Sequence, residues 1–298
     1  MIRRILSRFW LRAMAIWDAL GDFRLPSAQL WVPQEGLPSP PFPMADGPDV
    51  VQLRATDSAS GTVKAATAFQ LAVLNLNPSS YWALTDTNGV NAYDQTGNGN
   101  TGTLNGGVTA NVAGPFPNTS AMEFSAASSG WISTAASVDN PTVYTIVCGF
   151  KTTSASAVLV QFASPQTNPD ASNYDRMLYI DDTGLLRFGA YSGSTVTVAS
   201  PSAVDDGNFH LAVGAMSSTS GMTLFLDGSV VGTNANTSSQ AYTGWWHLGG
   251  GNTTAWPGGG YPFFLTGTEG QVATWDTIAL TTADMANLWT AWQSSVSG

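Results

Sequence analysis

Cysteine is nearly absent from this 298-residue chain: Cys148 stands alone. No intrachain disulfide can form, and no Cys-x-x-Cys metal site exists. Charge is scarce as well. Asp, Glu, Lys and Arg make up 10% of the residues, against about a quarter in an average soluble domain. A charged coiled coil is therefore excluded. A disordered chain is excluded too, because disorder couples low hydrophobicity to high charge and this chain is 43% hydrophobic. Histidine occurs twice (His210, His247) and glutamate three times (Glu35, Glu123, Glu269), which leaves little for a His-rich metal site.

What fills the gap is small and polar: 31 Gly, 16 Pro and long Ser/Thr/Asn/Ala tracts. This is the composition of short strands joined by many turns. The net charge of −10 is unevenly spread. Residues 75–298 carry only Lys151, Arg176 and Arg187 against fourteen acids. An acidic body repels phosphate backbones, since nucleic-acid affinity rests on Lys and Arg displacing counterions. Nucleic acid is not an expected partner.

The first 24 residues differ. Ile2, Ile5, Leu6, Phe9, Trp10, Ala13, Ile16, Trp17 and Leu20 fall on one arc of a helix, with Arg3, Arg4, Arg8 and Arg12 opposite. Gly21 and Pro26 supply a stop. Arg8 and Arg12 interrupt the apolar stretch that a secretory signal or a membrane span requires. Residues 1–24 therefore read as an amphipathic anchor helix, with Ile5, Phe9, Trp10, Ile16 and Trp17 facing a protein partner or another copy. Packing on its own domain, or lying on a membrane surface, are the other readings. Residues 25–67 read as an extended Pro-rich arm and linker. Six prolines between Pro26 and Pro43 are interleaved with Trp31 and other large apolar groups, which suits an arm laid along another surface. Weak alternation over 49–66 around a Ser58–Gly61 turn suggests a strand pair.

From residue 68 to 298, strand patterns and turn signals recur every 8–12 residues, the spacing of a sandwich or barrel. Strands are expected at 143–150, 158–163, 177–180 and 185–191. Asp227-Gly228, between Met222–Leu226 and Ser229–Gly232, is a type I′ hairpin signal. Thr282–Gln293 is the late helix candidate, capped by Thr281 or Thr282, with Leu288, Trp289 and Trp292 as its buried stripe.

These residues carry a resemblance. Pro78-Ser79-Ser80-Tyr81-Trp82-Ala83-Leu84 and Tyr93-Asp94-Gln95-Thr96-Gly97-Asn98-Gly99-Asn100 resemble the opening of laminin G-like domains of the concanavalin A-like superfamily. The similarity continues through Asp206-Gly207-Asn208-Phe209-His210, the Leu226-Asp227-Gly228 hairpin and Trp246-His247-Leu248-Gly249-Gly250. It implies a mainly β fold: a two-sheet antiparallel jelly-roll sandwich, here preceded by the helix and arm. The chain departs from the family at Glu269-Gly270-Gln271, where an aliphatic residue and an acidic pair are usual.

Some members of that superfamily cleave glycosides, which needs an acid and a nucleophile or base about 5–10 Å apart. No Glu-x-Asp-x-Glu cluster exists here, and Asp181-Asp182 and Asp205-Asp206 sit at turn signals, so no catalysis is expected. Asp94, Asn98 and Asn100 offer hard oxygen ligands of the kind Ca²⁺ takes, although Asx turns account for the same residues. Trp245, Asn252, Trp256 and Tyr261, in and beside a Gly-rich loop, could stack on and bond to a cell-surface glycan or could cover the sandwich edge. The layout of helix, arm and sandwich is similar to that of minor tail or accessory structural proteins of actinobacteriophages. That resemblance implies a virion protein, assembled in the host cytoplasm and anchored to other virion structural proteins through residues 1–48, with homo-oligomers expected. A bacterial cell-surface carbohydrate-binding module and a capsid decoration protein are the alternatives.

Overall fold

The computed structural model describes residues 54–56, 63–260 and 264–297. The anchor helix (1–24) and nearly all of the Pro-rich arm, with Trp31, lie outside the described residues. The chain divides into two compact units, Met1–Ala66 and Thr67–Gly298. In the first, Arg54–Thr56 (β1) and Val63–Ala65 (β2) pair antiparallel, Arg54 opposite Ala65. This is the strand pair that the alternation around the Ser58–Gly61 turn suggests.

The second unit opens with a helix that sequence reading missed, Ala68–Asn75 (α1). Thr67 caps it: its Oγ1 accepts from Gln70 N, and Gln70 reciprocates by accepting from Thr67 N at 2.9 Å. Such a capping box satisfies two of the amide donors that a helix start leaves orphaned.

Strands then follow in quick succession. They are Ser80–Trp82 (β3), Asn91–Ala92 (β4), Gly102–Asn105 (β5), Val108–Ala113 (β6), Ser120–Phe124 (β7), Trp131–Thr134 (β8) and Val138–Asp139 (β9). Longer ones come next: Tyr144–Thr152 (β10), Ala157–Ser164 (β11), Asn173–Ile180 (β12), Leu185–Tyr191 (β13), Thr195–Ala203 (β14) and His210–Ser217 (β15). Gly221–Leu226 (β16), Ser229–Asn234 (β17), Thr243–Leu248 (β18) and Gly267–Trp275 (β19) complete the set before the helix Thr282–Val296 (α2).

The strands form two antiparallel sheets. The first runs β17-β16-β15-β10-β19-β7-β6, with β3 also on β19. The second runs β14-β13-β12-β11-β18-β8-β5-β4, with β9 also on β18. Sequence neighbours lie in different sheets at several crossings, which is the jelly-roll sandwich that the family resemblance implies. Period-two alternation sets what each strand buries. On β10, Tyr144, Ile146, Cys148 and Phe150 enter the core between the sheets, while Val147 faces the opposite side. Three buried tryptophans tie the layers together, because each indole N–H finds an acceptor. Trp82 donates to Asn100 O, Trp246 to Asp276 Oδ1 and Trp275 to Leu76 O.

The outer face of the first sheet is covered by both helices. Phe69 and Val73 of α1 and Met285, Leu288 and Trp292 of α2 pack on Val147, Leu211, Val213, Ala273 and Trp275. Of the two threonines expected to cap α2, Thr281 does so, and it exchanges hydrogen bonds with Asp284 as a capping box. The helix runs three residues beyond the sequence estimate. The Asp227-Gly228 turn has φ of 49° and 77°, the two positive values a type I′ hairpin demands.

Candidate functional site

The 249–260 loop folds over the outer face of the second sheet instead of projecting from it. Trp256 is only 5% exposed and packs with Val158, Met177 and Tyr179. Its ring fills the space above Gly189, where a Cβ would meet Trp256 Cζ3 at 2.5 Å. Asn252 is pinned as well. Its N–H donates to Gln161 Oε1 (2.9 Å), its Nδ2 to Asp170 Oδ1 (2.7 Å), and its Oδ1 accepts from Thr254 N (2.8 Å). Of the two readings of this loop, Trp256 and Asn252 follow the second: they fasten it over the sheet and do not project towards a sugar. Trp245 alternates with the core residue Trp246, so it lies on the outer face of the second sheet, half-buried. Tyr261 lies outside the described residues.

The expected Ca²⁺ ligands are likewise engaged. Asp94 accepts from Tyr81 N (3.1 Å), Thr96 N (3.0 Å), Thr96 Oγ1 (2.8 Å) and Asn100 N (3.0 Å). Asn98 donates to Ser79 O, and Asn100 donates to Ser80 Oγ while accepting from Ala136 N. Four donors of the loop and of β3 thus converge on this carboxylate. The loop is built as nested Asx turns, which is the other reading of the same residues. Among the described residues, no three His, Cys, Asp or Glu side chains converge as a metal set.

The acids are dispersed. Glu123 is exposed on β7. Glu269, in register with Phe150 and Met122, points into the sandwich and is fully buried. Neither of its oxygens has a hydrogen-bond partner, and burial pushes its carboxyl well above the usual range. Burial alone would raise Asp181 too, but hydrogen bonds from Thr183, Arg187 and the Leu185 amide hold it below its ordinary value. Asp175 and Arg176 form a buried ion pair, with the guanidinium stacked 5.1 Å from Phe162 and 5.2 Å from Tyr242. Asp206 and Asp227 clasp His210 from either side, at 3.2 and 2.7 Å.

A cleft of about 220 Å³ opens at the rim of the sandwich. Three loops meet there: the residues after β7 (Ala126), the β10–β11 turn (Ser154–Ser156) and the β18–β19 connection (Gly260, Phe264, Thr266). Hydrogen bonds through the Thr152 hydroxyl and the Ser156 amide tie the walls in place. Thr152 Oγ1 donates to Thr266 O (2.7 Å) and accepts from Ser154 N (2.9 Å), and Ser156 N donates to Asp181 O (3.0 Å). Phe264 bridges to Gly250 and stays half-buried. Among the described residues the lining is hydroxyls and methyls around the Phe264 ring, with no charged group. Sequence reading missed Ser154, Ser156, Phe264 and Thr266. The one available signal was that Tyr261, singled out for its Gly-rich setting, stands between Gly260 and Phe264.

Comparison with known proteins agrees with this architecture. Domain 4 of AbnA, a GH43 extracellular arabinanase from Geobacillus stearothermophilus solved with arabinotriose, is 14% identical, with a TM-score of 0.54. The match covers 71% of this chain and 97% of that domain. A Trypanosoma rangeli sialidase is 12% identical with a TM-score of 0.50 over 96% of this chain, which spans 39% of the sialidase. At such identities the likeness is one of fold. No curated protein sequence matches the chain. A family model described as the concanavalin A-like lectin/glucanases superfamily matches residues 126–286. That stretch is more than half of the molecule and includes both hairpins, the 249–260 loop and the start of α2, so the chain belongs to the concanavalin A-like lectin/glucanase superfamily.

Proposed function

We propose that this chain is a non-catalytic adhesion component of a phage particle, of the minor-tail type. In this reading residues 1–48 seat it among other virion structural proteins, and the sandwich binds an uncharged host-surface glycan in the rim cleft. The observation that carries the glycan reading is the cleft lining: Ser154, Ser156 and Thr266 hydroxyls placed around the Phe264 ring. A sugar presents an apolar ring face and a rim of hydroxyls, so one aromatic and several short hydroxyl side chains match it. Glycoside cleavage needs two cooperating carboxyl groups, and among the described residues no carboxylate lines this cleft. The likeness to a domain solved with arabinotriose supplies the first probe.

Calorimetric titration of the full chain with arabinotriose and a panel of neutral oligosaccharides tests the proposal. Binding is expected, weakened about tenfold, or ~1.4 kcal/mol, by Phe264→Ala and less by Ser156→Ala. Binding that survives both variants, or no binding to any member of the panel, overturns the cleft assignment. Release of reducing ends from a bound oligosaccharide overturns the non-catalytic reading. Deleting residues 1–48 is expected to leave glycan binding intact and to abolish incorporation into particles; unchanged incorporation overturns the anchor.

A further inference from the structure

A sheet edge is a row of unpaired backbone donors and acceptors, and proteins that stay monomeric blunt it with charge, proline, bulges or very short strands. The two flanks of this sandwich differ in that respect. On one, β4 has two residues. Its companion β6 breaks register between Thr109 and Val112 and carries Asn111 at φ 63°. On the other flank, β14 ends the second sheet and β17 ends the first. They press together there: a Cβ on Gly232 would meet Val198 Cγ1 at 2.5 Å.

Between Thr195 and Ala199 this second flank lacks those defences; its register breaks lie outside that stretch, at Leu185–Arg187 in the β13–β14 pairing and at Leu224–Phe225 in the β16–β17 pairing. No Asp, Glu, Lys or Arg occurs between Arg187 and Asp205, or between Asp227 and Glu269. From Thr195 to Ala199 the strand keeps an unbroken register with β13, and four of those five residues are β-branched, which favours the extended state. Pro201 closes the stretch, since it cannot donate to a new neighbour. Beside it Val230 on β17 is 47% exposed. The nearby Arg187 is held within the chain, paired with Asp181 at 2.7 Å and donating from Nη1 to Thr197 Oγ1 at 3.2 Å. Elsewhere the body carries fourteen acids against three bases, so two copies repel one another on most approaches. The uncharged flank is where they do not.

We propose that this flank is a self-association surface on which β14 of one copy pairs antiparallel with β14 of a second, joining two nine-stranded sheets across a twofold axis. Isologous contact of this kind puts residues near the axis opposite their own counterparts, and Thr197 is the middle of the regular stretch. The flank is separate from the rim cleft, so the inference stands whether or not the glycan reading does.

Sedimentation equilibrium of the full chain over a range of concentrations tests it. A reversible dimer is expected. Thr197→Lys sets like charges against each other across the axis and is expected to raise the dimer dissociation constant about tenfold or more. Mixing Thr197→Lys with Thr197→Glu is expected to restore association, which a misfolded variant could not do. A monomeric wild type overturns the proposal. So does a dimer that Thr197→Lys leaves unchanged, including one that is lost only when residues 1–48 are removed.

Discussion

Glu269→Gln tests how the sandwich tolerates an acid in its interior. The carboxyl lies between Phe150 and Met122 in register, is sealed from solvent and has no hydrogen-bond partner for either oxygen. Burial raises its pKa well above the ordinary value; the nearby Gly249 amide, which donates to Leu159 O at 2.8 Å and not to the carboxyl, offsets only part of that rise. The titratable neighbour is the Cys148 thiol, itself pushed up by burial and by Glu269. The folded chain thus keeps a proton that the unfolded chain releases above about pH 4.3. Stability from this residue is complete below that value and is lost as pH rises towards the folded-state pKa. Each pH unit in that window costs about 1.4 kcal/mol. Glutamine has nearly the same shape and no proton to lose. Urea denaturation followed by tryptophan fluorescence, at pH values from about 4 upward, should show the variant gaining on the wild type by that slope. An amide left unsatisfied shifts the whole curve by about 1–3 kcal/mol but does not change its slope. Asp86, raised to about 6, and Asp175 and Asp276, also raised by burial, remain in both proteins and cancel in the difference. A difference that does not vary with pH refutes the argument.

Other perturbations have defined outcomes. Trp256→Ala empties the space above Gly189 and is expected to lower stability by about 3–5 kcal/mol without changing oligosaccharide affinity; urea curves and titrations of the same sample check both. Arg176→Met leaves Asp175 buried without its partner, and breaking such a pair costs about 3–5 kcal/mol, seen as a fall in the thermal midpoint. His210 is held up by its hydrogen bond to Asp227, against burial, with Asp206 adding to the rise. Its contribution is therefore complete below about pH 6.5 and lost as pH rises through the elevated pKa. His210→Gln should flatten that segment of the stability profile, and an unchanged profile would refute it.

Elements governed by neighbours in sequence were legible, and contacts between distant segments were not. The Asp227-Gly228 turn and the Thr281–Asp284 cap announce themselves within four residues, so the hairpin and α2 stand where expected. The α1 segment, Ala68–Asn75, is apolar on nearly every side, because one flank meets the sheet and another meets α2. It therefore lacks the one-sided stripe that marks a helix. The Gly-rich loop around Trp256 leaves exposure and edge cover equally open; its seat is Gly189, 67 positions earlier, and no local pattern connects the two. The Asp94 loop shows the same limit, since identical residues serve a cation or a set of amide donors. The rim cleft draws on three loops that only the closed sandwich brings together.

The two helices end the described unit side by side. The Phe69 amide donates to Ser295 Oγ at 2.9 Å, and the Phe69 and Trp292 rings meet edge to face at 5.1 Å. Chain entry and exit are thus fastened to each other on one face of the sandwich, leaving the rest of the barrel of strands free of either end. A unit tied off in this way is a cassette: spliced into a surface loop of another protein, it would not pull the flanks of its host apart. It would also tolerate relocation of its ends to a different turn, provided a short linker kept Phe69 and Ser295 in reach of one another.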